Sequence, residues 1–302
     1  MNAFDDMTCS AASADVPLPG TATRVSGWLC VEHPGAWGRD VIGDEVLSPE
    51  ITAELAARTT AARVRPTLIR RPGRSEFTGV RTVLLVNSRA EGGWCERLEI
   101  TDLKQLLELD LHLLAGPPPG LGERVTDPLV LVCAHGKRDQ CCALLGRPIA
   151  AALSADHPDR VWECSHTGGH RFAPAMVLLP SGLTYGRVDA AAATAALAAV
   201  HRGEVALTGL RGRSGHRPVE QVAELAVRAE IAAGLDELTV QLEKDSIATD
   251  PTHAGSAVVT HRDGRRWRVT ARTVAYAPRQ ASCGAGPKPV TALVADPIQP
   301  LP

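Results

Sequence analysis

The sequence predicts an α/β fold, and three observations carry that reading. PLVLVC (residues 128–133) is a short continuous apolar run, the mark of a strand buried on both faces. Behind it come a helical segment, a second strand, a hairpin and an Ala-rich helix, in the order β-α-β, loop, β-β-α. Ahead of it, strand-like and helical stretches alternate and end at AGPPPGLGE (residues 115–123), the best linker candidate in the chain. The β-α-β, loop, β-β-α order is thioredoxin-like, with the middle helix replaced by the loop SHTGGH (residues 165–170).

The elements follow in chain order. Residues 1–21 lack a basic start and an apolar stretch, so they are not a signal peptide and read as a disordered leader. RVSGWLCVEH (residues 24–33) is a buried strand stopped by Pro-Gly. SPEITAELAAR (residues 48–58) is a helix with Ser48 at the cap and Pro49 at its first position. RPTLIRRP (65–72), RTVLLVNS (81–88) and WCERLEI (94–100) are strand-like, and DLKQLLELDL (102–111) has helical spacing. These form an α/β N-terminal domain, residues 22–120.

In the second unit, residues 121–235, the buried strand precedes CCALLGRPIAAAL (141–153), helical despite Gly146 and Pro148. RVWECS (160–165) is a strand, and PAMVLLP (174–180) and LTYGRV (183–188) make a hairpin. The helix at 189–203 is capped by Asp189, and another helix spans 218–235. Residues 236–302 form a small β-rich C-terminal extension with a hairpin around Asp263-Gly264. No internal repeat or low-complexity tract is evident.

Composition narrows the function. The 302 residues are 44% hydrophobic and 22% charged with net charge -2, which supports a packed core and no nucleic-acid or anionic-membrane partner. The basic runs at 70–74 and 262–268 are short and read as solvated strand ends. No apolar run is long enough to span a membrane, which places the chain in the cytoplasm. There the eight cysteines are not a disulfide framework. Three of them, Cys133, Cys141 and Cys142, fall within ten residues.

That cluster points to a metal. Cys133 ends a buried strand, at the sheet edge where α/β proteins bind ligands. Cys141 and Cys142 open the next helix, where the helix dipole favours thiolates, and Lys137 and Arg138 add positive charge. A parallel second strand delivers its loop, with His166 and His170, to the same edge. Two thiols and two imidazoles at one place suit zinc or an iron–sulfur cluster. The long loop after Cys133 suits the larger group, a [2Fe-2S] rhomb with one ligand pair per iron. The glycines of His-Thr-Gly-Gly-His would let backbone approach it. Cys141 and Cys142 diverge by about 100° on a helix, so only one faces the centre, and periodicity does not choose between them. The C-x-H pairs Cys133-Ala-His135 and Cys164-Ser-His166 raise a Rieske arrangement, which the βα setting disfavours. Cys164, Cys30 and Cys95 read as core residues, His33 and Trp37 as a packed turn, and Cys283 as a neighbour of the centre but not a ligand.

Cys133 and Cys142 make C-x8-C, and His166-Thr167-Gly168-Gly169-His170 makes H-x-G-G-H. With HGKRD (135–139) and APAMVLLPSGLTYGRV (173–188), and more loosely residues 27–40 and 279–289, the chain resembles the sucrase/ferredoxin-like family from about residue 22 onward. The resemblance selects Cys142 over Cys141. It implies a thioredoxin-like ferredoxin domain with a non-Rieske [2Fe-2S] cluster, Cys133 and Cys142 on one iron, His166 and His170 on the other. It implies one-electron transfer between redox donor and acceptor proteins it does not name, and an electron carrier rather than a hydrolase. The alternatives are a structural zinc Cys2His2 protein and a thioredoxin-like thiol oxidoreductase. The latter is disfavoured because the chain has no C-x-x-C.

Overall fold

The computed structural model describes residues 7–73, 77–244 and 250–302. The chain runs through β1 (Gly27–Glu32), α1 (Pro49–Ala62), β2 (Val64–Arg70), β3 (Arg81–Asn87) and β4 (Trp94–Ile100). It continues through β5 (Glu123–Arg124), β6 (Leu129–Cys133), α2 (Gln140–Asp156), β7 (Val161–Cys164), β8 (Ala175–Leu179) and β9 (Leu183–Gly186). After α3 (Ala190–His201), β10 (Leu210–Arg213) and α4 (Pro218–Glu230) come β11 (Leu238–Leu242), β12 (His253–His261), β13 (Arg266–Gln280), β14 (Pro287–Ala295) and β15 (Gln299–Leu301).

The first ten strands form one sheet in the order β10-β9-β8-β6-β7-β2-β1-β3-β4-β5. Within it one pattern is drawn twice. β1 and β2 are parallel around α1, with β3 antiparallel to β1 and β4 to β3. β6 and β7 are parallel around α2, with β8 antiparallel to β6 and β9 to β8. The halves meet where β2 pairs antiparallel with β7, Ile69 opposite Cys164. The expected units 22–120 and 121–235 thus share a continuous sheet. Their connection at 115–123 is tied down: the Glu96 carboxylate accepts the N–H groups of Gly120, Leu121 and Gly122. The repeat is topological, which is why no repeated sequence announced it.

Alternation along β6 explains the all-apolar run. Leu129, Leu131 and Cys133 join a core shared by both halves with Trp28, Leu84 and Trp162, while Val130 and Val132 face the core beneath α2 and α3. The curl of the sheet lets strands of both halves contribute to the first core.

Most sequence-derived elements are present, with informative differences. Residues 103–108 form a 3₁₀ helix rather than an α-helix, opened by a capping box between Asp102 and Gln105. Ser48 stands at the cap of α1 without a side-chain hydrogen bond. Residues 1–6 of the expected disordered leader lie outside the described residues. Residues 7–21 are packed instead: Cys9, Ala12 and Val16 are buried, and Arg187 donates to the carbonyls of Ser13 and Ala14. Val16 meets Phe172, Val290 and Ala292, so this segment fills the seam between the two sheets. Small residues suffice there, and they leave no periodic signature.

The C-terminal extension is a second sheet, β11-β12-β13-β14 with β15 on β13. α4 packs on it through Ala223 and Val227. Where α4 meets β10, Glu224 is buried between Arg213 and Arg228, each with Nε 3.0 Å from Oε1, and His216. Burial alone would raise its carboxyl pKa, but the neighbouring cations hold it far below the usual range. Removing one member of such a set leaves buried charge uncompensated, so Glu224→Gln is expected to cost about 3–5 kcal/mol. A depressed carboxyl pKa contributes stability above the unfolded pKa of about 4.3, and that contribution fades as pH falls toward the folded value. Denaturation midpoints should therefore show a wild-type advantage at pH 7 that narrows below about pH 4.

Candidate metal centre

Cys133 ends β6, and directly beside it in register Cys164 ends β7. The backbone bridges the two loops there, with Ala134 N–H donating to the Cys164 carbonyl. The first loop turns at once into α2, whose N-cap is Asp139, its side chain accepting from Cys141 N–H at 2.9 Å. α2 lies close on β6 because residue 146 is glycine: a Cβ there would sit 2.1 Å from the Cys133 carbonyl oxygen. This is the use of a residue that sequence reading counted only as a weak helix former.

The two cysteines at the start of α2 face apart, as helical geometry requires. Cys142 turns toward Cys133 and His166, whereas Cys141 turns to Cys9 and Cys283. The ligating atoms of Cys133, Cys142 and His166 all lie within 4.8 Å of one another. His166 Nδ1 is 3.9 Å from Cys133 Sγ and 4.0 Å from Cys142 Sγ. His170 lies beside His166, ring centroids 5.0 Å apart. Its Nδ1 is buried with no hydrogen-bond partner among the described residues, and burial, aided by the charge of His166, holds its pKa below that of a free imidazole. A neutral ring with an unsatisfied buried nitrogen is what a metal ligand requires. The thiols are poised as a pair. A hydrogen bond from Cys142 and the nearby His166 hold the Cys133 thiol low against its burial, and Cys142 is held high by the same bond. Both sulfurs are buried, while both imidazoles are half-buried at the rim.

The loop is held by residues that sequence reading did not assign to it. His135 is buried and has both ring nitrogens engaged: Nδ1 accepts from His166 N–H at 3.1 Å, and Nε2 donates to the Gly38 carbonyl at 2.9 Å. A ring so committed is not a ligand, which removes the Rieske-type pairing of Cys133 with His135. Trp37 meets His135 edge-on at 5.9 Å, so the packed turn of the N-terminal half buttresses the centre. Arg65 Nη2 donates to the His166 carbonyl at 2.6 Å. Gly168 and Gly169 adopt φ of 99° and 75°. Side chains there would strike Thr23 and Arg211, so the glycines admit those two neighbours. Arg211, fully buried, donates to the carbonyls of Gly168 and Thr21, and burial lowers its pKa to about 9. The signal for His135 was its place in HGKRD; Arg211 had none.

His135→Phe should keep the buried volume but release the H-x-G-G-H loop. We expect it to weaken retention of a bound metal by about 10–100-fold, the usual cost of losing an outer-shell partner, and to lower stability by about 1–3 kcal/mol through the two backbone groups left without a partner, short of unfolding the chain. Metal retention under a chelator titration, read beside a denaturant curve, checks this.

Beside His166 a cavity of about 230 Å³ opens, lined by Arg39, Asp40, Arg65, His135, Arg138 and His166. Cys164, expected as a small buried core residue, is fully buried and outside the ligand group; Cys30 and Cys95 are core residues.

This arrangement defines a class: an α/β protein with a Cys/His set, on two loops at one sheet edge, able to hold a metal. The chain belongs to the sucrase/ferredoxin-like family, whose model matches residues 18–212. That match takes in both halves of the first sheet and stops before α4. The chain is also similar to altered inheritance of mitochondria protein 32 of Meyerozyma guilliermondii, 34% identical over 74 residues. That likeness covers 21% of this chain and 26% of the relative. No solved structure was found to match. Among the described residues no helix is long and apolar enough to cross a membrane.

Proposed function

We propose that this protein transfers single electrons through a [2Fe-2S] cluster held by Cys133 and Cys142 on one iron and by His166 and His170 on the other. The observation that carries the reading is the split of the donor set. A buried thiol pair from the first loop and its helix faces half-buried His166 from the second, with His170 stacked beside His166 and outside the compact group. The orphaned Nδ1 of His170 argues that the set extends past the compact trio of Cys133, Cys142 and His166. Membership of the sucrase/ferredoxin-like family agrees with it.

When bound, the cluster supplies a site that accepts and releases one electron. Neutral imidazoles in place of two thiolates reduce the negative charge there, so the potential should lie above the about -400 mV of all-Cys plant-type ferredoxins. Burial shields the thiols from water, and the rim position of His166 and His170 makes the histidine side the route for electrons. Arg39 and Arg138 beside His166 suit donor and acceptor proteins with acidic contact surfaces. We assign the half carrying the centre a thioredoxin-like ferredoxin fold, supported by its β-α-β, loop, β-β-α order and by the strand order β9-β8-β6-β7.

The compactness of Cys133, Cys142 and His166 also favours a second reading, one zinc ion with no redox role. The absorption spectrum of anaerobically purified protein separates the two. Visible charge-transfer bands that bleach with a one-electron reductant support the cluster; a colourless protein holding zinc at these residues supports the alternative.

A further inference from the structure

A second group of ligating side chains lies on the other side of the start of α2. Cys9 from the N-terminal segment, Cys141 from the first turn of α2 and Cys283 from the connection between β13 and β14 bring their sulfurs together. Sγ–Sγ separations are 3.2 Å for Cys141–Cys283, 3.6 Å for Cys283–Cys9 and 3.7 Å for Cys9–Cys141. The Asp139 carboxylate completes the group, its oxygens 3.5 and 3.6 Å from Cys9 Sγ. All four ligating atoms lie within 4.8 Å of one another, and Cys9, Asp139 and Cys141 are buried.

We propose that Cys9, Cys141, Cys283 and Asp139 form a structural zinc site, separate from the centre at Cys133. Tetrahedral zinc with sulfur ligands at 2.3 Å sets sulfurs about 3.8 Å apart, and a carboxylate oxygen at 2.0 Å stands about 3.5 Å from each sulfur. The observed separations approach these values. Backbone amides already point at the group: Cys9 N–H faces Cys283 Sγ at 3.4 Å, and Cys141 N–H and Cys283 N–H orient the Asp139 carboxylate at 2.9 Å each. Such outer-shell hydrogen bonds fix ligands around a metal. Without a metal, the three thiols have only weak hydrogen bonds, among themselves, to the Asp139 carboxylate and from the Cys9 amide. At 3.2 Å the nearest pair is not a disulfide, whose bond is about 2.05 Å.

Binding balances simply. One Zn²⁺ enters, three thiols each lose a proton to solvent, and the carboxylate is already ionised, so the assembled site carries net charge -2. The N-terminus of the 17-residue α2 lies against it and favours that charge. The ligands are 130 or more residues apart except within α2, so the ion would staple the N-terminal segment and the second sheet to the first turn of α2.

Metal analysis of the full chain, purified without chelator from zinc-supplemented medium, tests the site. One zinc per chain is expected, present alongside any iron. Cys9→Ser and Cys283→Ser should each lower zinc at least about fivefold and leave iron and sulfide unchanged, while Cys283→His, which keeps a good zinc ligand, retains the zinc. Cys133→Ser should remove iron and leave zinc in place. The proposal is overturned if the wild type contains no zinc, if zinc persists in the Cys9→Ser, Cys283→Ser double variant, if zinc leaves with Cys133→Ser alone, or if thiol counting finds a Cys141–Cys283 disulfide in its place.

Discussion

Cys133→Ser and, separately, Cys142→Ser should yield chains that fold but retain less than about a tenth of the wild-type iron and sulfide. The size of the effect follows from chemistry. Cluster irons need thiolate ligands, and serine at a buried position offers a harder, poorly ionised oxygen. Folding should survive because serine fills nearly the same volume, and the core around Cys133 is built from Leu129, Leu131, Trp28 and Trp162 rather than from the sulfur. Cys141→Ser is the matched control: it lies one residue from Cys142 but faces away, so iron content should hold. Iron and sulfide assays beside a thermal melt read both halves of the prediction. Equal loss from all three variants would contradict the assignment of Cys142 over Cys141.

The second large effect is electrochemical. His166→Cys should keep a cluster but lower its potential by on the order of 100 mV or more, toward the all-Cys range. His166 offers Nδ1 to the thiol pair, which turns its other ring nitrogen away from them. If the proposed cluster takes up a proton there on reduction, the wild-type potential should fall as pH rises, by up to about 59 mV per pH unit for one proton per electron. Cysteine has no such second nitrogen, so the variant's slope should flatten if His166 carries the coupling. Protein-film voltammetry from pH 6 to 9 measures both quantities. An unchanged potential in His166→Cys would reject His166 as a ligand, and a flat wild-type profile would reject the coupling to protons.

How much of this was legible in the sequence differs by distance along the chain. The loops carrying Cys133, Cys142, His166 and His170 were readable because each is local: a buried strand fixes where its loop emerges, although the choice of Cys142 over Cys141 came from the family resemblance and not from spacing. The hairpin of β8 and β9 and the Asp189 cap of α3 were readable for the same reason. What escaped depends on partners far away. His135 reads only as a disfavoured Rieske-type ligand until Gly38 is placed beside it. Arg211 holds the H-x-G-G-H loop from 43 residues downstream of Gly168. Cys9 lies in a segment expected to be disordered, because burial between two sheets leaves no periodic pattern in small residues. The doubled strand order was hidden because topology repeats where side chains do not, and the divergent faces of Cys141 and Cys142 were predicted while the occupant of the second face was not.

The central claim is that two sulfurs and two imidazoles hold a pair of sulfide-bridged irons at this sheet edge. Iron and acid-labile sulfide determination on anaerobically purified full-length chain tests it most directly. The account predicts two irons and two sulfides per chain, lost together in Cys133→Ser. Protein that is fully folded and carefully prepared yet contains neither iron nor sulfide would contradict it.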